Sequence, residues 1–110
     1  MAGKTFSEKI LGAKAGKEVA AGEVVTVSPD MLLSHDNSAA IIREFRKIGL
    51  EKVIDPEKIV IVLDHVVPAA SEKHAQNHKE IRDFVSEQKI PKFFDISCGI
   101  CHQVFSEKGF

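Results

Sequence analysis

Residues 59–65 read Ile59-Val60-Ile61-Val62-Leu63-Asp64-His65, and this stretch decides the fold. Five aliphatic residues in a row, four of them β-branched, show no polar alternation. A strand of that kind has both faces covered, as in the centre of a parallel sheet. It then ends abruptly in an acid and a histidine. In open α/β sheets ligands bind beyond the carboxyl ends of the strands, so Asp64 and His65 stand where a site is expected. An aspartate beside a histidine can supply charge, hydrogen bonds and a proton near neutral pH. On local grounds alone, a strand simply surfacing into polar residues is the simpler explanation of the pair.

The flanking segments supply the rest of an alternating pattern. Thr5 is a candidate cap for a helix ending near Gly16, with Phe6, Ile10 and Leu11 on one face. Glu23–Val27 is a β-branched run that predicts a short strand, broken by Ser28-Pro29-Asp30. Ile41, Ile42, Phe45 and Ile48 recur at helical spacing and Gly49 closes that helix. Residues 71–88 predict a helix with Ala75, Ile81, Phe84 and Val85 buried. Pro91 breaks the chain before Lys92–Ile96, a second candidate core strand. Helix, strand, helix, strand, helix, strand indicates a layered α/β domain over residues 1–110 with at least part of its sheet parallel. No closing element follows Gly109-Phe110, which suggests a truncated domain.

Composition removes several function classes. Fifteen Lys and Arg balance sixteen Asp and Glu, so there is no broad basic face for nucleic acid. Trp and Tyr are absent, leaving only Phe for base stacking. No apolar run approaches a membrane span of roughly 20 residues, and the lysine-rich start lacks a secretory core. A cytoplasmic protein is expected, in which Cys98 and Cys101 are not a structural disulfide.

Other segments allow several chemistries. Cys98-Gly99-Ile100-Cys101-His102 fits the attachment motif of c-type haem, a redox Cys-x-x-Cys or half of a zinc site. Haem attachment needs export, and a zinc site needs further ligands. His102 can instead be a substrate-site residue with incidental cysteines. His74 and His78 are four apart on a predicted helix, yet lack a zincin signature and read as solvated helix-face residues. His35-Asp36-Asn37-Ser38 reads most simply as a polar turn capping the next helix.

Six blocks carry a resemblance: KTFSEKILG (4–12), GEVVTVSPD (22–30), MLLSHDNSAAIIREF (31–45), DPEKIVIVLDHVVPA (55–69), NHKEIRDFV (77–85) and GICHQVF (99–105). In order and spacing they resemble the N-terminal part of the aconitase superfamily, most closely 3-isopropylmalate dehydratase large subunits and their homoaconitase relatives. The resemblance implies a layered α/β/α domain. It implies a hydro-lyase that isomerises a 2-hydroxy di- or tricarboxylate by dehydration and rehydration, as in leucine biosynthesis. It implies a [4Fe-4S] cluster whose cysteine ligands lie outside this chain, so that no metal ligand is expected here. A small swivelling subunit and the remainder of the large subunit are the implied partners.

By that resemblance Asp64, His65 and His102 are catalytic. His65 donates a proton to the leaving hydroxyl, Asp64 charges and orients that environment, and His102 hydrogen-bonds the bound hydroxyl or the cluster water. His35, Asp36 and Ser38 border the substrate. Two positions depart from the pattern: Cys98 stands where relatives carry glycine, and Ala40 where aconitases carry glutamine. The resemblance also implies that the 110-residue chain alone is inactive. A Cys-x-x-Cys redox or metal-binding module and a non-catalytic domain are the alternatives from other classes.

Overall fold

The computed structural model describes residues 3–110, which fall into two compact units divided after Asp30. The first unit holds helix α1 (Phe6–Ala15). Its start is a capping box: the Glu8 N–H donates to Thr5 Oγ1 while Glu8 Oε2 accepts the Thr5 N–H. Gly16 ends it in the left-handed conformation (φ 69°) that glycine adopts without steric cost. The strand expected over Glu23–Val27 does not form. The segment has no ladder partner among the described residues, and Val24 is 96% exposed. β-Branched residues favour a strand only where a neighbouring strand and a packed face exist.

The second unit is built on β1 (Leu32–Ser34), β2 (Ile59–Val62) and β3 (Lys92–Phe94), in the order β1-β2-β3 and parallel throughout. Leu32 pairs with Ile59 and Ser34 with Ile61; Val60 pairs with Lys92 and Val62 with Phe94. Helix α2 (Ser38–Lys47) links β1 to β2, α3 (Glu72–Gln88) links β2 to β3, and α4 (Cys101–Glu107) follows β3. The element sequence therefore matches the alternating pattern, except that the first strand sits at residue 32.

The aliphatic run does what its composition requires. Strand side chains alternate between faces. Ile61 and Leu63 pack with Ala39 and Ile42 of α2 and Ile81, Phe84 and Val85 of α3. Val60 and Val62 pack on the opposite face with Cys101 and Val104 of α4. The result is a three-layer α/β/α arrangement with β2 at its centre. Phe45 meets Phe84 edge to face between α2 and α3, ring centres 5.9 Å apart.

Two helical stripes differ from expectation. On α2 only Ile42 of the periodic set is fully buried, while Ile41 and Ile48 are exposed. Ile41, Leu32, Leu33, Leu50 and Ile54 instead border an apolar groove of about 590 Å³ beside the edge strand β1. On α3 Ala75 is exposed, and the fourth buried member of the stripe is His78. Positions 78, 81 and 85 lie on one helical face, so a histidine heads an otherwise apolar stripe.

Candidate functional site

Each of the three strands is followed by an aspartate at the carboxyl edge of the sheet, and the first two carboxylates reach into other loops. Asp36 follows β1. Its Oδ1 accepts the N–H groups of Asp64 (2.9 Å) and His65 (2.8 Å). Its Oδ2 accepts the Val66 N–H (3.1 Å) and lies 2.7 Å from His78 Nε2. Three successive backbone donors converging on one carboxylate form an anion-binding nest. Burial by itself raises the Asp36 pKa, but the His65 N–H, His78 and the other two backbone donors outweigh it and hold the carboxyl well below the usual range. Asp36 is therefore not a cap for α2, as its neighbourhood in sequence suggested. The N-cap position falls on Asn37, whose side chain makes no capping bond. Proximity in sequence favoured the cap; the nest across the sheet offers three more donors.

Asp64 follows β2 and reaches two ways. Oδ1 lies 2.6 Å from His65 Nδ1, and Oδ2 accepts the Cys101 N–H at 2.6 Å, at the start of α4. That second bond satisfies one of the orphan donors at the helix start. Burial raises the Asp64 pKa, and the bonds from His65 and Cys101 more than reverse it, so Asp64 is ionised. An ionised Asp64 makes His65 Nδ1 the donor and leaves Nε2 as the nitrogen that can exchange a proton. The bond to Asp64, supported by the negative charge of Asp36, raises the His65 pKa. The His65 side chain is 49% exposed, so the ring is open to a ligand. It stacks on His35, ring centres 3.7 Å apart and planes 9° from parallel.

Asp95 follows β3 and accepts two bonds from Arg82 of α3, Nε to Oδ2 and Nη2 to Oδ1, both 2.7 Å. Arg82 is one helical turn beyond His78, so α3 holds the aspartates after β1 and β3 with two adjacent side chains.

The expected site residues thus separate into groups. Asp64, His65, His35 and Asp36 come together at one edge. Ser38 lies beside them, its hydroxyl 2.6 Å from Ser34 Oγ and donating to the His35 carbonyl at 2.6 Å, so it braces the His35 backbone. His102 is exposed on the first turn of α4, one residue after the N–H that Asp64 fixes. Its side chain makes no hydrogen bond among the described residues. His74 is bonded to Ser71 at the start of α3. His78, expected to be a solvated surface residue, is buried against Asp36. Its place in the 78, 81, 85 stripe was the available signal.

The cysteines do not form a Cys-x-x-Cys centre. Both are free, Cys98 exposed and Cys101 buried. Burial and the neighbouring Asp64 push the Cys101 thiol up, which keeps it protonated rather than a thiolate ligand. Ligand atoms of His35, Asp36 and His65, and of Asp64, His65 and Cys101, cluster within 4.8 Å. Asp36 already accepts two hydrogen bonds on each oxygen, which leaves the first cluster no free carboxylate, and the second would need the protonated Cys101 thiol as a ligand. One buried thiol and one exposed thiol likewise do not fit a [4Fe-4S] cluster. Gly99, at φ 126°, turns the chain into α4, and an added Cβ would stand 3.2 Å from Val104 Cγ2.

No family model matches the chain. Curated relatives do. Over 107 residues the chain is 50% identical to a protein of Methanothermobacter thermautotrophicus named probable 3-isopropylmalate dehydratase large subunit, covering 96% of this chain and 26% of that protein. It is 45% identical over 108 residues to large subunit 1 of that dehydratase from Methanopyrus kandleri, covering 97% and 26%. It is 44% identical over 106 residues to the Sulfurisphaera tokodaii large subunit, covering 96% and 26%. The chain spans 26% of the length of these relatives, and over that span nearly every residue aligns. The chain belongs to the 3-isopropylmalate dehydratase large-subunit family of the aconitase superfamily.

Proposed function

We propose that this chain forms one wall of the active site of a hydro-lyase, with the Asp64–His65 pair as its acid. The reaction is the dehydration and rehydration that interconverts 2-isopropylmalate and 3-isopropylmalate in leucine biosynthesis. The observation that carries the reading is the Asp64–His65 bond at the carboxyl end of β2. It raises the pKa of the imidazole and leaves Nε2 available in an exposed ring. In dehydration a base elsewhere in the complete enzyme takes the proton from the neighbouring carbon, that C–H electron pair forms the C=C bond, and the C–O bond breaks with its own pair leaving on oxygen. A proton from His65 Nε2 converts the departing hydroxide to water. In rehydration the same nitrogen takes a proton from the entering water, whose oxygen adds to one alkene carbon while the proton held by the base returns to the other.

His102 stands on the helix that Asp64 ties to this loop, and its proposed role is a hydrogen bond to the substrate hydroxyl. His35 and Ser38 shape the edge of the substrate site. A [4Fe-4S] cluster, held by cysteines other than Cys98 and Cys101, belongs to the complete enzyme in this reading. So does a small subunit. The same reading puts the enzyme in the cytoplasm; no helix among the described residues is long and apolar enough to cross a membrane.

The test is turnover of 2-isopropylmalate by the whole large subunit assembled with its small subunit, following the unsaturated intermediate by its ultraviolet absorbance. Replacing His65 with Ala should lower kcat by about 10²–10⁴. Turnover unchanged by His65→Ala would contradict the assignment, and preferential turnover of homocitrate would move the substrate to the longer tricarboxylate.

A further inference from the structure

His78 takes no part in the chemistry proposed above, yet it is among the most buried side chains of the molecule. It is 2% exposed and sits where an apolar residue would complete the α3 stripe. Burying an imidazole costs free energy unless its polar atoms are bonded. Its Nε2 is bonded to Asp36 Oδ2 at 2.7 Å, in a pair that is closed to solvent on both sides.

What that bond controls lies one step further on. Asp36 Oδ1 and Oδ2 hold the backbone N–H groups of Asp64, His65 and Val66. Those three residues set the position of the His65 ring. The carboxylate also belongs to the residue next to His35, the ring on which His65 stacks. The orientation of Asp36 therefore fixes both members of the stack, and His78 is the side chain that stops the carboxylate turning about its own axis. Without it Oδ2 keeps only the longer bond from Val66.

We infer that His78 is a positioning residue: through Asp36 it holds His65 and His35 in register at the carboxyl edge of the sheet. The inference rests on the reading of His65 as the acid for its effect on turnover, but not for its effect on the ring. Displacing a reacting group by about 1 Å costs up to roughly a hundredfold in rate.

Two variants and two readouts test it. His78→Leu keeps the apolar stripe and removes the donor; His78→Gln keeps a donor. In the assembled enzyme, His78→Leu should lower kcat about tenfold or more with little change in KM, and His78→Gln should recover most of the loss. In the 110-residue chain, the ring resonances of His65, shifted by the stacked His35, should move towards unstacked values in His78→Leu and stay in His78→Gln. Unmoved His65 resonances in a folded His78→Leu chain would overturn the inference, as would equal loss in both variants. Should the wild-type enzyme fail to turn over isopropylmalate, the functional reading falls and the ring resonances alone decide the role of His78.

Discussion

His78 and Arg82 lie one turn apart on α3 and each reaches an aspartate that follows a strand, but the two pairs do different work. The His78–Asp36 pair is closed to solvent, with side chains 2% and 8% exposed. The Arg82–Asp95 pair is open, at 40% and 41%. Asp95 collects Arg82 and the N–H of its own neighbour, Ile96, so it organises little beyond its own loop. Asp36 collects donors from the loop after a different strand, so its removal reaches the candidate acid. A half-exposed ion pair gains less, because water competes for both ions and salt screens them. A carboxylate in a closed nest cannot exchange its partners for water, and losing it strands every donor it held. The less conspicuous pair is the one that organises the site.

The first way to break this contrast is Asp36→Ala. It leaves three backbone N–H groups and His78 without their acceptor, and should destabilise the chain by about 3–5 kcal/mol in urea unfolding. A loss no larger than that of a surface substitution would mean the loop after β2 does not depend on the nest.

Acid supplies the second test. The folded pKa of Asp36 lies below its unfolded value of about 3.9. Its stabilising contribution is therefore complete above that pH and is lost as pH falls towards the folded value. Asp64 and Asp95 are depressed as well and act with the same sign. His65 acts with the opposite sign: its raised pKa makes its contribution complete below about 6.5 and lost as pH climbs through the folded value. Unfolding midpoints at pH 7, 4 and 2.5 should fall steeply towards acid, and Asp36→Asn should flatten that fall.

The smallest effect belongs to Arg82→Ala, at about 0–1 kcal/mol and further reduced by salt. A cost equal to that of Asp36→Ala would erase the difference between the two pairs.

The central strand was readable because its requirement is local: five aliphatic residues without alternation need two covering layers, and β2 has them. Glu23–Val27 has similar propensity but no partner strand among the described residues, which no local pattern reveals. The site divides in the same way. Asp64 and His65 are adjacent in the chain, and their bond spans one residue step. The nest joins residues 28 to 42 positions apart, so the sequence around Asp36 pointed to the nearest donors, those of α2. His78 was hidden by its own type, since a histidine on a helix usually faces water. The resemblance to the dehydratase family supplied the catalytic assignments of Asp64, His65 and His102, but it named neither the nest nor its buried histidine.

The most direct measurement on the central claim is the titration of His65, followed by its ring resonances in isotopically labelled chain. With Asp64 ionised against Nδ1, the midpoint should lie above the ordinary histidine value of 6.5, and Asp64→Asn should return it towards that value. A midpoint at or below 6.5 in the wild-type chain, unmoved by Asp64→Asn, would contradict the role of Asp64 in holding the proton of His65.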